Sequence, residues 1–298
     1  MSGSPWLAVW GSARPPFLVL TPAVLALGWA CAYAQGVALA PWSVVLTLIA
    51  GLAAHISVNA LNEVADFSNG LDSTTQRTPF SGGSGLLPAH PELVHAVRWL
   101  ARLSLVAVLL TGGILVASRG PVLLSWGVLG VVLVLVYSCW LVRSPLGSLL
   151  APGLAFGPVM VAGTALAVGG SISWPTLWVA LVPFFGVNNL LLLNQFPDVN
   201  ADRAVGRRNV PIVWGLDVAR RVYGLMALAM HATVLAGVAW QWLPWHSLWA
   251  LVMVVPTGMV WRRLQQAAEQ PSALHQAMAM NVVVAVVTPV VLATTLVF

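Results

Sequence analysis

The chain has 298 residues, of which 59% are hydrophobic and 7% charged, and its mean hydropathy is +0.89. That composition excludes a water-soluble enzyme and places the chain among polytopic membrane proteins. The formal net charge of +5 does not indicate nucleic acid as a partner, because the basic residues are scattered singles and pairs without runs interleaved with aromatics.

Met1 to Trp10 lack the basic start and small-residue cleavage pattern of a secretory signal, so the N-terminus is expected to be retained. Apolar segments follow at about 15–35, 42–65, 100–118, 121–141, 147–170, 175–196, 218–240, 244–264 and 275–297. Each is long enough to cross a hydrocarbon core of ~30 Å. The expected fold is therefore an all-α polytopic membrane protein, about nine transmembrane helices around a central cavity, in a single domain spanning 1–298. Pro22, Pro158, Pro183 and Pro256 lie inside these segments, and kinked helices around the cavity are expected. Cys31 and Cys139 also lie in apolar runs, without CxxC spacing, and read as buried small hydrophobes rather than disulfide or metal ligands.

With nine crossings and a cytoplasmic N-terminus, Arg119 alone of the 13 basic residues falls on the outer side, and none is lysine. The bias is a strong positive-inside signal. The eight acidic residues, Glu92, Asp217 and Glu269 among them, also fall at or beyond the cytoplasmic helix ends. Charges avoiding lipid account for those three. They do not account for two clusters that follow apolar runs: Asn62-Glu63-Val64-Ala65-Asp66, then Gly70 and Asp72; and Asn194-Gln195-Phe196-Pro197-Asp198, then Asp202. The Asn and Asp of the second cluster each lie 132 residues after their counterparts in the first, a degenerate internal repeat.

On a helix, positions four apart share a face, so Asn62 points with Asp66 and Asn194 with Asp198. Asp202 prolongs the second row if the helix continues past Pro197. Facing rows of this kind offer hard oxygen ligands from two helices, which suit Mg²⁺ with phosphate and water completing its shell. The long connections after each cluster add Arg77-Thr78-Pro79-Phe80-Ser81-Gly82-Gly83-Ser84-Gly85, a glycine-rich loop able to turn N–H groups toward an anion, and Arg203, Arg207 and Arg208. Arg143 follows the fourth segment. A metal-diphosphate site opening into an apolar cavity fits an isoprenyl diphosphate whose tail lies among the helices.

Asn62-Glu63-x-x-Asp66-x-x-x-Gly70-x-Asp72 and Asn194-x-x-x-Asp198-x-x-x-Asp202-x-x-x-Gly206-Arg207-Arg208 resemble the two aspartate-rich motifs of UbiA-type intramembrane aromatic prenyltransferases. Nine helices, motifs ending helices two and six, and Tyr137-Ser138 followed by Arg143 look like that family over nearly the whole chain. Gly70-x-Asp72, Phe156-Gly157-Pro158 with Ala162-Gly163-Thr164, and Asp198-x-x-x-Asp202 look most like its menaquinone branch, 1,4-dihydroxy-2-naphthoate prenyltransferase. The resemblance implies that Asn62, Asp66, Asp198 and Asp202 hold Mg²⁺ on the diphosphate, with Glu63 and Asp72 as further members, and that Arg77, Tyr137, Arg143 and Arg207 contact the diphosphate. Two positions depart from the pattern: Glu63 stands where the family usually has Asp, and Arg207-Arg208 where it usually has Lys. The implied substrates are a prenyl diphosphate and a small aromatic acceptor, whose carboxyl is lost in the menaquinone branch, with the active site on the cytoplasmic side of a bacterial cell membrane. Asp72 is a candidate base.

His55, about two turns before Asn62, is either a buried hydrogen-bonded histidine or part of an acceptor pocket. Trp174, Trp242, Trp245 and Trp249 read as interfacial anchors. A cation transporter is disfavoured because it requires acids near the midplane and on both sides. A membrane phosphotransferase is disfavoured because its Asp-Gly and Ala-Arg run is missing. A sibling prenyltransferase taking 4-hydroxybenzoate or another acceptor stays open.

Overall fold

The computed structural model describes residues 5–75, 77–267 and 270–298, and every regular element among them is helical. Glu269 and the first four residues lie outside them. In chain order the long helices are α1 (Pro15–Ala34), α2 (Pro41–Ser68), α3 (Pro91–Arg119), α4 (Pro121–Tyr137), α5 (Pro145–Ala167), α6 (Trp174–Asn194), α7 (Leu216–Ala239), α8 (Val254–Gln266) and α9 (Ser272–Val297). Seven of these are long and apolar enough to cross a membrane; α4 and α8 are shorter. The segment expected at 244–264 splits into a 3₁₀ stretch, Trp245–Met253, and α8. Pro256 lacks an N–H and its ring crowds the carbonyl one turn back, which breaks the α-helical ladder there.

Proline also shapes α5. Around Pro158 the residues Ala155–Ala162 widen into a π-helical turn, which accommodates the ring without ending the helix. Small residues then bring the helices close. A Cβ at Gly28 of α1 would lie 2.7 Å from both Thr164 Cβ and the Val161 carbonyl oxygen of α5. Gly28→Val therefore forces these helices apart, and we expect it to destabilise the detergent-solubilised protein by ~1–3 kcal/mol, read as a lower midpoint of thermal unfolding.

Sequence neighbours pack side by side, α1 on α2, α2 on α3, α3 on α4 and α6 on α7, and α9 closes against α1. The largest core joins α1, α5, α6, α7 and α9 through residues such as Leu27, Val161, Val187, Met230 and Leu292. On the other side α3 and α4 turn Leu103, Leu110, Ile114, Val122 and Leu129 outward, as lipid-facing helices do. The cavity lies between this thin wall and the core.

The ends of the bundle differ in chemistry. At the end away from the acids, Trp174, Trp245 and Trp249 are exposed, as interfacial anchors are, while Trp178, Trp240 and Trp242 stack edge to face. Arg119, the arginine expected alone on this side, donates from Nε and Nη2 to the Ala167 and Val168 carbonyls (3.1 and 3.2 Å) and lies over Trp42. It thereby satisfies the C-terminal carbonyls of α5. Cys31 is buried as expected, but Cys139 is exposed, because it falls in the turn that follows α4.

Candidate active site

Helix α2 stays regular through its polar end, so His55, Asn59, Asn62 and Asp66 recur at helical spacing and all line one cavity of about 610 Å³. Helix α6 behaves differently. It ends at Asn194, the chain turns through Pro197, and a short helix restarts at Val199–Ala204. Asp198 and Asp202 are joined by a backbone bond from Asp202 N–H to the Asp198 carbonyl (2.8 Å), and Asn194, Gln195, Asp198 and Asp202 line the same cavity. The repeat in sequence thus becomes two different shapes facing one another.

Arg207 joins them. Its Nη2 donates to Asp66 Oδ1 and its Nη1 to Asp202 Oδ1 (3.0 Å), so one planar guanidinium spans both acidic stretches. Gly206, with φ 79°, reverses the chain just before it, and the Arg207 N–H returns to the Asp202 carbonyl (3.0 Å). Asp202 is held further by Asn209 Nδ2 (2.8 Å), and Asp66 by Asn62 Nδ2 (2.8 Å), while Asn62 Oδ1 accepts from Ser138 Oγ (3.3 Å). Among the described residues no three His, Cys, Asp or Glu side chains are grouped closely enough to share an ion.

Asp72 reaches the cavity because Gly70, with φ 82°, turns the chain after α2. A Cβ at Gly83 would meet Asp72 Oδ1 at 2.8 Å, so the loop passes the carboxylate only as glycine. Three oxygens here are buried without a partner among the described residues: Asp72 Oδ2, Asn194 Oδ1 and Gln195 Oε1. Burial, reinforced by the charges of Glu63 and Asp66, pushes the Asp72 carboxyl up to about 7; burial and then the neighbouring Asp202 push Asp198 up to about 7 as well. Burial raises Asp202 too, against the opposing pull of Arg207.

Asp72 and Asp198 thus hold protons in the folded chain that they release in an unfolded one, between their ordinary pKa of ~4 and about 7. Stability falls as pH rises through that window. We expect the thermal midpoint of the protein in chelator to drop between about pH 4 and pH 7, and Asp72→Asn to flatten the profile.

Three expected site residues are not brought to the cavity. Glu63 is fully buried, and its carboxylate accepts from Ser84 N–H (3.0 Å) and Ser84 Oγ, with Arg14 Nη2 at 3.8 Å. The glycine-rich loop does turn an N–H toward an anion, but that anion is Glu63. Arg77 is exposed; its Nη1 donates to the Ser84 carbonyl (3.0 Å), and it lies where a Cβ on Gly85 would sit. Arg143 is exposed in the turn between α4 and α5 and does not line the cavity. Tyr137 and His55 do line it.

The sequence reading missed Arg14, Asn59 and Asn209. Arg14 lines the cavity at the foot of α1 in a left-handed conformation, φ 53°, with Asn59 Nδ2 bonded to the preceding Ala13 carbonyl (2.9 Å). An L-residue in that conformation costs ~1–2 kcal/mol, and the helical register that places Asn59 here holds it. No local signal marked it: the proline that follows Arg14 favours extended backbone, not the left-handed conformation found here.

Residues 6–283 match the model of the UbiA prenyltransferase family. No curated protein sequence matches the chain. Among solved structures, the chain is similar to one described as digeranylgeranylglyceryl phosphate synthase in membranes, at 11% identity and TM-score 0.66 over 99% of each chain. It is similar to the apo structure of a UbiA homolog from Aeropyrum pernix K1, at 18% identity and TM-score 0.65 over 92% of this chain and 96% of that one. A UbiA homolog from Archaeoglobus fulgidus bound to GPP and Mg²⁺ follows, at 13% identity and TM-score 0.59 over 96% and 99%. At these identities the likeness is one of fold. The family match, running over nearly the whole chain, goes further: this integral membrane protein belongs to the UbiA prenyltransferase family and is a prenyltransferase.

Proposed function

We propose that residues 1–298 form one domain that transfers a polyprenyl group from a prenyl diphosphate to 1,4-dihydroxy-2-naphthoate, the prenylation of menaquinone biosynthesis, in a Mg²⁺-dependent reaction. The observation that carries this reading is the pairing of Asp66 and Asp202 through Arg207 at the polar end of a cavity whose remaining wall is mostly apolar. An amphiphile with a multiply charged head and a hydrocarbon tail fits that division. The A. fulgidus homolog was solved with such molecules, GPP and DMAPP, together with Mg²⁺.

Asn62, Asp66, Asp198 and Asp202 would hold the ion, with Asp72 as a further ligand. The donors are carboxylate and amide oxygens, the set Mg²⁺ prefers, and the partnerless oxygens of Asp72, Asn194 and Gln195 mark unused capacity. Held there, Mg²⁺ would supply positive charge to stabilise the diphosphate leaving group. Arg207 exchanges its carboxylate partners for phosphate oxygens, and Arg14 and Tyr137, which line the same cavity, face the head group. Glu63, by tying Ser84, holds the glycine-rich loop over the site. The pyrophosphate leaves with the electron pair of the allylic C–O bond. The ring carbon bearing the carboxylate supplies the pair of the new C–C bond, and CO₂ leaves its pair in the ring. Apolar walls of α3, α4 and α5 keep water from the allylic carbon meanwhile.

The naphthoate reading rests on Gly70-x-Asp72, the turn that buries Asp72 beside the cavity. The distribution of arginines supports a site on the cytoplasmic face of a bacterial cell membrane. The test is prenyl transfer by the purified protein with Mg²⁺ and a long-chain prenyl diphosphate, offering the naphthoate against 4-hydroxybenzoate. Product from the naphthoate alone supports the proposal; product from 4-hydroxybenzoate alone replaces the acceptor and keeps the chemistry.

A further inference from the structure

His55 sits in the membrane-spanning part of α2, seven residues before Asn62 and so ~10 Å deeper in the cavity at the helical rise. It is only 7% exposed, yet it lines the cavity. Phe156 of α5 meets the imidazole edge to face at 5.1 Å, and Nδ1 lies 2.8 Å from Thr21 Oγ1 of α1. Among the described residues Nε2 has no partner, and it is not sealed into the packing as the fully enclosed orphan atoms are.

The partner on Nδ1 settles the tautomer. Thr21 is fully buried, and its hydroxyl makes no other hydrogen bond among the described residues. A hydroxyl that only accepted from Nδ1 would leave its own proton unsatisfied, at the cost of an unmade buried bond. The satisfied arrangement has Thr21 Oγ1–H donating to Nδ1, which leaves the proton on Nε2. His55 therefore offers an N–H donor to the cavity, well below the carboxylates, in a stretch whose neighbours on the wall, Gly51, Ala54 and Val58, are small or apolar.

A prenyl tail has nothing to accept that hydrogen bond; an acceptor ring does. We propose that His55 Nε2–H binds the ring oxygen of the acceptor that lies farthest from the reacting carbon, with Thr21 as the positioning residue that fixes the imidazole. This rests on the naphthoate reading above. There the reacting carbon bears the carboxylate and adjoins the 1-oxygen, so the 4-oxygen points across the ring, away from the diphosphate and toward His55. A site built to donate to that oxygen discriminates against an acceptor that lacks it, since the N–H is then left unpaired.

The test compares 1,4-dihydroxy-2-naphthoate with 1-hydroxy-2-naphthoate, which lacks only the 4-oxygen, in wild type, His55→Ala, His55→Gln and Thr21→Val. Loss of the hydrogen bond is expected to lower kcat/KM for the dihydroxy compound roughly tenfold in His55→Ala, chiefly through the acceptor KM. The KM of the prenyl diphosphate should stay within about twofold, which also shows that the variant is folded. His55→Gln, which keeps an N–H donor, should recover part of the loss, and Thr21→Val should lose less than His55→Ala. With 1-hydroxy-2-naphthoate, wild type and His55→Ala should differ by less than about twofold, the two changes forming a cycle. An active wild type whose His55→Ala variant falls equally with both acceptors, or with neither, overturns the inference alone. A wild type that prenylates neither compound overturns the naphthoate reading and the inference with it.

Discussion

Asp66→Ala and Asp198→Ala should each lower the rate of prenyl transfer by at least ~10²–10³-fold, the loss typical of removing one group that stabilises developing charge. The two substitutions act on opposite sides of the cavity, one on a continuous helix and one in a turn. If both stretches hold the same ion and diphosphate, the double variant should be little worse than either single, because half a clamp is no clamp. Steady-state transfer measured in detergent or reconstituted vesicles checks both points. Strictly multiplicative losses would mean that the stretches serve separate steps.

The second large effect concerns Arg207. Its guanidinium neutralises Asp66 and Asp202 together in a mostly buried site, with the arginine side chain 17% exposed and the acids 6% and 2%. Removing one partner of a buried ionic group strands the others, at about 3–5 kcal/mol. Arg207→Ala should therefore lower the thermal midpoint sharply in chelator. A dication can take the place of the lost charge, so Mg²⁺ should restore much of the loss and stabilise the variant more than it stabilises wild type. An equal drop with and without Mg²⁺ would show that the arginine supports the fold by packing alone.

How far the sequence revealed this arrangement depended on how local each signal was. Apolar length predicted the long helices, because lipid demands it whatever the tertiary packing. Helical spacing placed Asn62 with Asp66 correctly, since α2 runs unbroken to Ser68. The same rule failed in part at Asn194 and Asp198. Pro197 interposes a turn there, and the bonds from Arg207 to Asp202, on the short helix beyond that turn, and to Asp66 of α2 tie the second stretch to the first. Glu63 looked like a ligand because it adjoins Asn62, yet one residue along a helix turns a side chain by about 100°, here out of the cavity and into the glycine-rich loop. Arg77 and Arg143 are exposed and do not line the cavity; a basic residue in a loop expected on the inner side is satisfied by topology whether or not it enters a site. Arg14 was passed over for the opposite reason. Its place in the cavity comes from a left-handed turn stabilised by Asn59, 45 residues later, a contact that no local pattern contains.

The central claim is that the two acidic stretches form one Mg²⁺-dependent diphosphate site. The most direct measurement is equilibrium binding of a non-reactive prenyl diphosphate analogue to the purified protein, with and without Mg²⁺, in wild type, Asp66→Ala and Asp198→Ala. The account predicts tight binding only with Mg²⁺, weakened at least ~10-fold by either substitution. Binding that is indifferent to Mg²⁺, or that survives both substitutions, would contradict it.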